Sequence, residues 1–194
     1  MRNVLDELEQ ADLNEVIETK YMILRRVLEV IGMVWSHCDS YRDPVRIVVL
    51  FKEICNLMIE IARTYLDPEN ILKGEIDEAL EKVNNALKVM TEFSKLFEAM
   101  RKDLQRFFEE SGKITKEWEF SYDLIFADRY DRVVNRIREL QNFLMTCNEY
   151  LKLEKVEFGG IQGGALSQQV ADIFEEFNNE YRIFTERNYD AMNY

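Results

Sequence analysis

The sequence predicts an all-α fold: an elongated antiparallel bundle of about five helices with long coiled-coil-like seams, forming a single segment over residues 1–194. Three observations carry this. Only two prolines and seven glycines interrupt 194 residues, too few for the many turns an all-β protein needs. Apolar side chains recur three and four places apart over long stretches, the period of one helical face. Four of the seven glycines cluster at 159, 160, 163 and 164, where freedom to take positive φ can end one helix and redirect the chain. With 47% hydrophobic and 12% aromatic residues, there is material for one core.

The first helix is expected from Asp12-Leu13-Asn14-Glu15, which resembles a capping box. Its stripe is Leu13, Ile17, Leu24, Leu28, Ile31 and Trp35, stopping between His37 and Ser40. Asp43-Pro44 starts the second, because proline's fixed φ and missing N–H suit the first helical position. Ile47, Phe51, Ile54, Met58, Ile61 and Tyr65 form its seam, and Asp67-Pro68 ends it. After a short link through Gly74, a third helix runs from Glu75 to Gly112 through Ile76, Leu80, Val83, Leu87, Met90, Phe93, Phe97, Met100, Leu104 and Phe108. Its apolar face drifts by one position between Met90 and Phe93, where a change of partner or a bend is expected.

Lys113 to Glu117 is a loop. The fourth helix, from Ser121 to Val156, carries the most regular alternation: Phe126, Tyr130, Val133, Ile137, Leu140, Leu144, Cys147 and Leu151. At about 1.5 Å per residue it would be roughly 50 Å long. Beyond the glycines, Ser167 is the expected cap of a last helix with the stripe Val170, Ile173, Phe174, Phe177, Tyr181 and Phe184.

Charge excludes several functions. A formal net charge of −12 opposes phosphate-backbone binding, which depends on Lys and Arg releasing counterions, so nucleic acid is not an expected partner. The same argument disfavours an anionic membrane surface. No apolar run approaches the roughly 18 to 20 residues of a membrane span, and Arg2-Asn3-Val4-Leu5-Asp6-Glu7 is no signal peptide. Cys38, Cys55 and Cys147, few, odd in number and far apart, suit a reducing compartment. The expected setting is cytosolic or cytoskeletal.

No constellation of reactive groups emerges, and no catalytic, cofactor-binding or metal-binding residue is assigned. The glycine block lacks the Lys-Ser/Thr of a phosphate-binding loop, since Ala165-Leu166 follow it. His37 is the only histidine; a zinc site needs more ligands, and Val34 stands where a di-iron Glu-x-x-His would need its glutamate. Cys55 and Cys147 lie on apolar seams, as small hydrophobes do. Glu109-Glu110 and Glu175-Glu176 are neighbours that face different directions on a helix, hence solvated rather than acid/base pairs.

Trp118-Glu119-Phe120 precedes the fourth helix, either as a hydrophobic staple on its first turn or as an aromatic anchor for another subunit. Phe93, Phe97, Phe107 and Phe108 offer more aromatic surface than one seam buries, so one edge is expected to face a partner.

The stretch Lys152-Leu153-Glu154-Lys155-Val156-Glu157-Phe158-Gly159-Gly160, with Gly163, Leu166 and Val170, resembles the signature of the N-terminal tail of axonemal dynein heavy chains. The likeness continues through Trp35-Ser36-His37, Arg46, Leu50-Phe51-Lys52-Glu53-Ile54-Cys55-Asn56, Tyr65-Leu66-Asp67-Pro68-Glu69, Trp118-Glu119-Phe120, Phe126, Arg136, Phe143, Ile173, Phe177, Phe184 and Tyr189-Asp190. It covers most of the chain from about Leu24 onward. Gln162 departs from it, because the family usually has Lys or Arg nearby.

The resemblance implies a piece of the stem that joins heavy chains to one another and to intermediate and light chains, and that docks the motor on a doublet microtubule of a cilium or flagellum. ATP hydrolysis would belong to AAA modules further along the polypeptide. Asp67-Pro68 and Tyr189-Asp190 look slightly closer to inner-arm than to outer-arm heavy chains. Candidate partner-contact or structural residues are Trp118, Phe120, Lys152, Glu154, Lys155, Glu157, Phe158, Gly159, Gly160 and Gly163. The residues also leave open a free-standing helical-bundle adaptor that binds a partner through an exposed aromatic face, or a small ligand-binding bundle.

Overall fold

A computed structural model describes residues 2–38, 40, 43–68, 70–110, 122–153, 159–160 and 162–186. Eight α-helices lie in them: α1 (Arg2–Gln10), α2 (Leu13–Glu18), α3 (Met22–His37), α4 (Pro44–Leu66), α5 (Ile76–Glu110), α6 (Tyr122–Phe126), α7 (Arg129–Leu153) and α8 (Gly163–Glu186). Among the described residues there is no strand. The all-α expectation holds, and the count of five does not. Each of the three extra helices has a local cause.

The first is α1, which precedes the expected start at Asp12. Leu8 is fully buried there and Val4 and Leu5 pack against the core. An exposed ion pair, Glu7 to Arg26 at 2.8 Å, crosses to α3.

The second comes from a break in the expected first helix. Asp12 does cap α2, its carboxylate accepting from Glu15 N at 2.8 Å. After one and a half turns Lys20 and Tyr21 take φ of 50 and 63°. Tyr21 N donates to Val16 O at 3.0 Å and Lys20 N to Ile17 O at 2.9 Å, the paired bonds of a Schellman motif with lysine where glycine usually sits. The third extra helix arises at Ala127 and Asp128, which divide α6 from α7. The apolar alternation runs across this break, because Ile125, Phe126 and Tyr130 all face the core. Over its described residues, Arg129–Leu153, α7 has 25 residues and is about 38 Å long; the rest of the expected helix, residues 154–156, lies outside the described residues.

The other boundaries follow their residues. Asp43 accepts from Val45 N at 3.1 Å ahead of Pro44, and α4 ends at Asp67 in the left-handed region at φ 45°. A 3-10 turn over Ile71–Lys73 tucks Ile71 inward before α5.

With 35 residues, about 52 Å, α5 is the axis of the bundle, packed against α2, α3, α4 and α7. Pairings of α5 with α7 run in opposite order along the two helices: Asp77 with Asn148 (3.0 Å), Asn84 with Gln141, and Met90 O with Tyr130 OH (2.8 Å). The two are therefore antiparallel. Asn85 with Tyr65, and Phe97 with Phe51, show the same for α5 and α4. The drift between Met90 and Phe93 is a widening of the buried face: Ala86, Leu87, Val89, Met90 and Phe93 are all buried, as a helix flanked on several sides requires.

At that level the rings of Phe51, Phe93, Phe97, Phe126 and Tyr130 interlock. Edge-on contacts of 4.9 Å (Phe51 to Phe97) and 5.1 Å (Phe97 to Phe126) have the geometry that ring quadrupoles favour. No polar or charged residue is buried among the described residues. Tyr130 is only 2% exposed, and its hydroxyl donates to Met90 O, as burial demands.

Candidate partner-binding surface

Of the ten candidate residues, Trp118, Phe120, Glu154, Lys155, Glu157 and Phe158 lie outside the described residues. Lys152, Gly159, Gly160 and Gly163 lie within them. Lys152 lies in the last turn of α7 with its Nζ 2.7 Å from Glu149 Oε1, both side chains more than half exposed, so the pair contributes little. The glycine block divides its labour in an unforeseen way. Only Gly160, at φ 86°, is left-handed. Gly163 and Gly164 are already helical, α8 starting four residues before Ser167, with Gly163 N bonded to Gly160 O at 3.1 Å.

The remaining candidates for chemistry are inert where described. Burial pushes the Cys55 thiol up to about 12, with Asp131 adding to the shift. Burial likewise holds Cys147 at about 11, so neither is a thiolate at neutral pH. His37 is exposed at the end of α3, its Nδ1 near Ser36 Oγ (2.6 Å) and Met33 O (3.0 Å). Among the described residues no three His, Cys, Asp or Glu side chains gather as metal ligands. Glu109, Glu110, Glu175 and Glu176 are exposed.

The expected aromatic edge does not include Phe93 or Phe97. Phe93 and Phe97 are fully buried and form the ring cluster of the core, so they present no aromatic edge to a partner. The side chains of Phe107 and Phe108 lie outside the description. Helices on several sides of α5 absorb the aromatic surface that one seam would have left over.

The open apolar surface is elsewhere. A groove of about 600 Å³ runs between α3 and the later half of α5, lined by Leu28, Gly32, Met33, Leu96, Met100 and Leu104, with Arg25, Glu29 and Asp103 at its rim. Met33 is 55% exposed in it. The second open region is α8, where among the described residues only Gly163 is buried. It lies antiparallel on α7 through two flat ring stacks, Phe143 on Tyr181 (5.9 Å, 3°) and Tyr150 on Phe177 (4.9 Å, 4°). Tyr181 OH also donates to Leu72 O at 3.1 Å. Leu166 and Ile173 remain 42% and 48% exposed. Periodicity placed Ile173 on the α8 stripe, and only the packing shows that this edge has no cover.

Fold and surface define a helical packing module with an apolar core and two partly open apolar faces. Comparison with known proteins gives it a family. The family model for dynein heavy chain, N-terminal region 1, matches residues 1–194, and the chain belongs to that family. It is 42% identical over 188 residues to the ciliary dynein beta chain of Heliocidaris crassispina, and 37% identical over 188 residues to dynein axonemal heavy chain 9 of Homo sapiens. Each match covers 97% of this chain and 4% of the relative. The flagellar outer-arm beta chain of Chlamydomonas reinhardtii is 27% identical over 99% of the chain, against 20% over 88% for an inner-arm chain of the same alga. The lean toward inner-arm chains gains no support from this.

The chain thus spans about 4% of the length of the relatives it matches, and the ATPase modules of a dynein heavy chain lie outside it. Its homologues are ciliary, flagellar and axonemal, which places it with the axonemal cytoskeleton. No helix among the described residues is long and apolar enough to cross a membrane.

Proposed function

We propose that this segment is an assembly element of an axonemal dynein heavy-chain tail, packing against other heavy chains and against intermediate and light chains where the motor docks. The observation that supports this best is the match of the whole chain to the dynein heavy-chain N-terminal region, on a fold whose apolar faces along α8 and between α3 and α5 stay open. Exposed apolar surface of this kind marks sites of protein association. The connector from Lys152 to Gly163, with Trp118 and Phe120, is the part of this reading that names contact residues. In it the segment contributes no chemistry and binds no nucleotide.

The test is capture of dynein subunits. The 194-residue chain, immobilised and exposed to salt-extracted axonemal dynein, should retain heavy, intermediate or light chains identified by mass spectrometry. Retention of none of them, or ATP turnover by the purified chain, would overturn the reading.

A further inference from the structure

The apolar stripe of α8 is covered unevenly along its length. Its later part, Phe177 and Tyr181, stacks on α7. Its earlier part carries Leu166 and Ile173, seven residues apart and roughly half exposed, with half-buried Val170 between them. Leu166, Val170, Ile173 and Phe177 alternate four, three and four apart, which is the a/d spacing of a coiled-coil seam. A stripe in that spacing packs best against another helix, whose side chains seat between its own.

The charges beside the stripe say which helix. Glu176 is three residues and Glu180 seven residues beyond Ile173, both on its face, and Asp172 is one turn before Glu176. Among the described residues no basic side chain comes within ion-pair distance of Asp172, Glu175, Glu176 or Glu180; Asp172 receives only Gln168 Nε2, at 2.8 Å. By contrast, α5 pairs Glu92 with Lys95 and Glu98 with Arg101, and α7 pairs Asp128 with Arg132 and Glu149 with Lys152. An open apolar stripe bordered by uncompensated carboxylates complements an amphipathic helix with an aliphatic seam and Lys or Arg flanks.

We infer that α8 is the docking strip for such a basic-flanked amphipathic helix from another polypeptide. The inference rests on the assembly reading above and adds to it the location on the chain and the chemistry of one partner.

The probe is a synthetic peptide of about four heptads, with Leu at a and d and Lys at e and g. It is compared with the same peptide carrying Glu at e and g. Both are titrated into the 194-residue chain by fluorescence anisotropy. The Lys-flanked peptide should bind and the Glu-flanked one should not. Leu166→Ser with Ile173→Ser should weaken binding about tenfold. Glu176→Gln with Glu180→Gln should weaken it about threefold and flatten its dependence on salt. All four positions are exposed, so the variants should melt as the unsubstituted chain does, which separates lost docking from lost folding.

Equal binding of the two peptides, binding by neither, unchanged affinity in both variants, or a self-association that the Ser variants abolish would each overturn the inference. Loss of the inference and loss of the assembly reading are distinct results: a chain that binds the two peptides equally, or neither, yet retains the subunits of axonemal dynein sinks the first and spares the second.

Discussion

Gly32 lies buried inside α3, away from either end of the helix, and its φ is not left-handed. Glycine there costs backbone entropy, about 0.5–1 kcal/mol relative to alanine. A Cβ at this position would meet Leu104 Cδ1 at 3.4 Å, an ordinary van der Waals contact with a half-buried side chain that lines the groove. Gly32→Ala is therefore expected to stabilise the chain by up to about 1 kcal/mol, read as a higher urea midpoint at unchanged slope. A lower midpoint would mean that Leu104 cannot move.

Ile137 is the opposite case. It is fully buried on α7, on the seam turned to α5, and Ile137→Asp would place a carboxylate where no polar residue is buried among the described ones. A cost of several kcal/mol, against a typical total of about 5–15 kcal/mol, should abolish the cooperative melt seen by circular dichroism. A variant that melts within about a degree or two of the parent would refute the packing of this seam. The cysteines give a chemical check on the same core: Cys38 is exposed while Cys55 and Cys147 are buried. Of the three thiols, only Cys38 should react promptly with Ellman's reagent at neutral pH, the other two reacting after denaturation.

At the scale of elements, local stability should follow burial. Tyr130, Val133, Val134, Ile137, Leu140, Leu144 and Cys147 bury one face of α7, whereas among the described residues of α8 no side chain is buried, and its contacts with the bundle include two ring stacks and one hydroxyl bond. Helices owe their stability mainly to packing, so amide hydrogens of α8 should exchange well before those of α5 and α7. Hydrogen-exchange mass spectrometry that found α8 as protected as α7 would contradict this.

The same comparison shows what the sequence can disclose. Capping and apolar period announced α4 and α5 nearly to their ends, because Asp43-Pro44 and Asp67-Pro68 act through their own side chains. The turn at Lys20 and Tyr21 was not visible, since it places non-glycine residues in the left-handed region and no side chain there signals it. The break at Ala127 was hidden by an apolar alternation that continues across it. The glycine block announced a turn, and its two later glycines belong to α8. The open edge of α8 was the least legible feature, because periodicity shows which side chains share a face and only the assembled bundle shows whether that face is covered.

At the scale of the whole molecule, alkaline pH tests whether these helices fold as one unit. Four helices meet around Cys55 on α4, Tyr122 on α6, and Tyr130 and Asp131 on α7, with Met90 of α5 accepting from Tyr130. Burial first, and then a hydrogen bond and charge repulsion from Asp131, raise Tyr122 to about 12. Burial holds Tyr130 well above the usual tyrosine range and brings Cys55 to about 12. Each group is neutral when protonated and is held protonated by the fold, so the unfolded chain gives up its proton first as pH rises. The stability linked to Cys55 is therefore complete below its unfolded value near 9 and is lost between about 9 and 12; for the tyrosines the loss starts near 10. The urea midpoint should be flat from pH 7 to about pH 9 on this account and then fall, with ring and far-ultraviolet signals lost together if the bundle is cooperative. Replacing both Cys55 and Cys147 by alanine should move the start of that fall to about pH 10, because the tyrosines then titrate first. A decline that still began near pH 9 in the double variant would mean that groups outside this cluster set the alkaline limit of the fold.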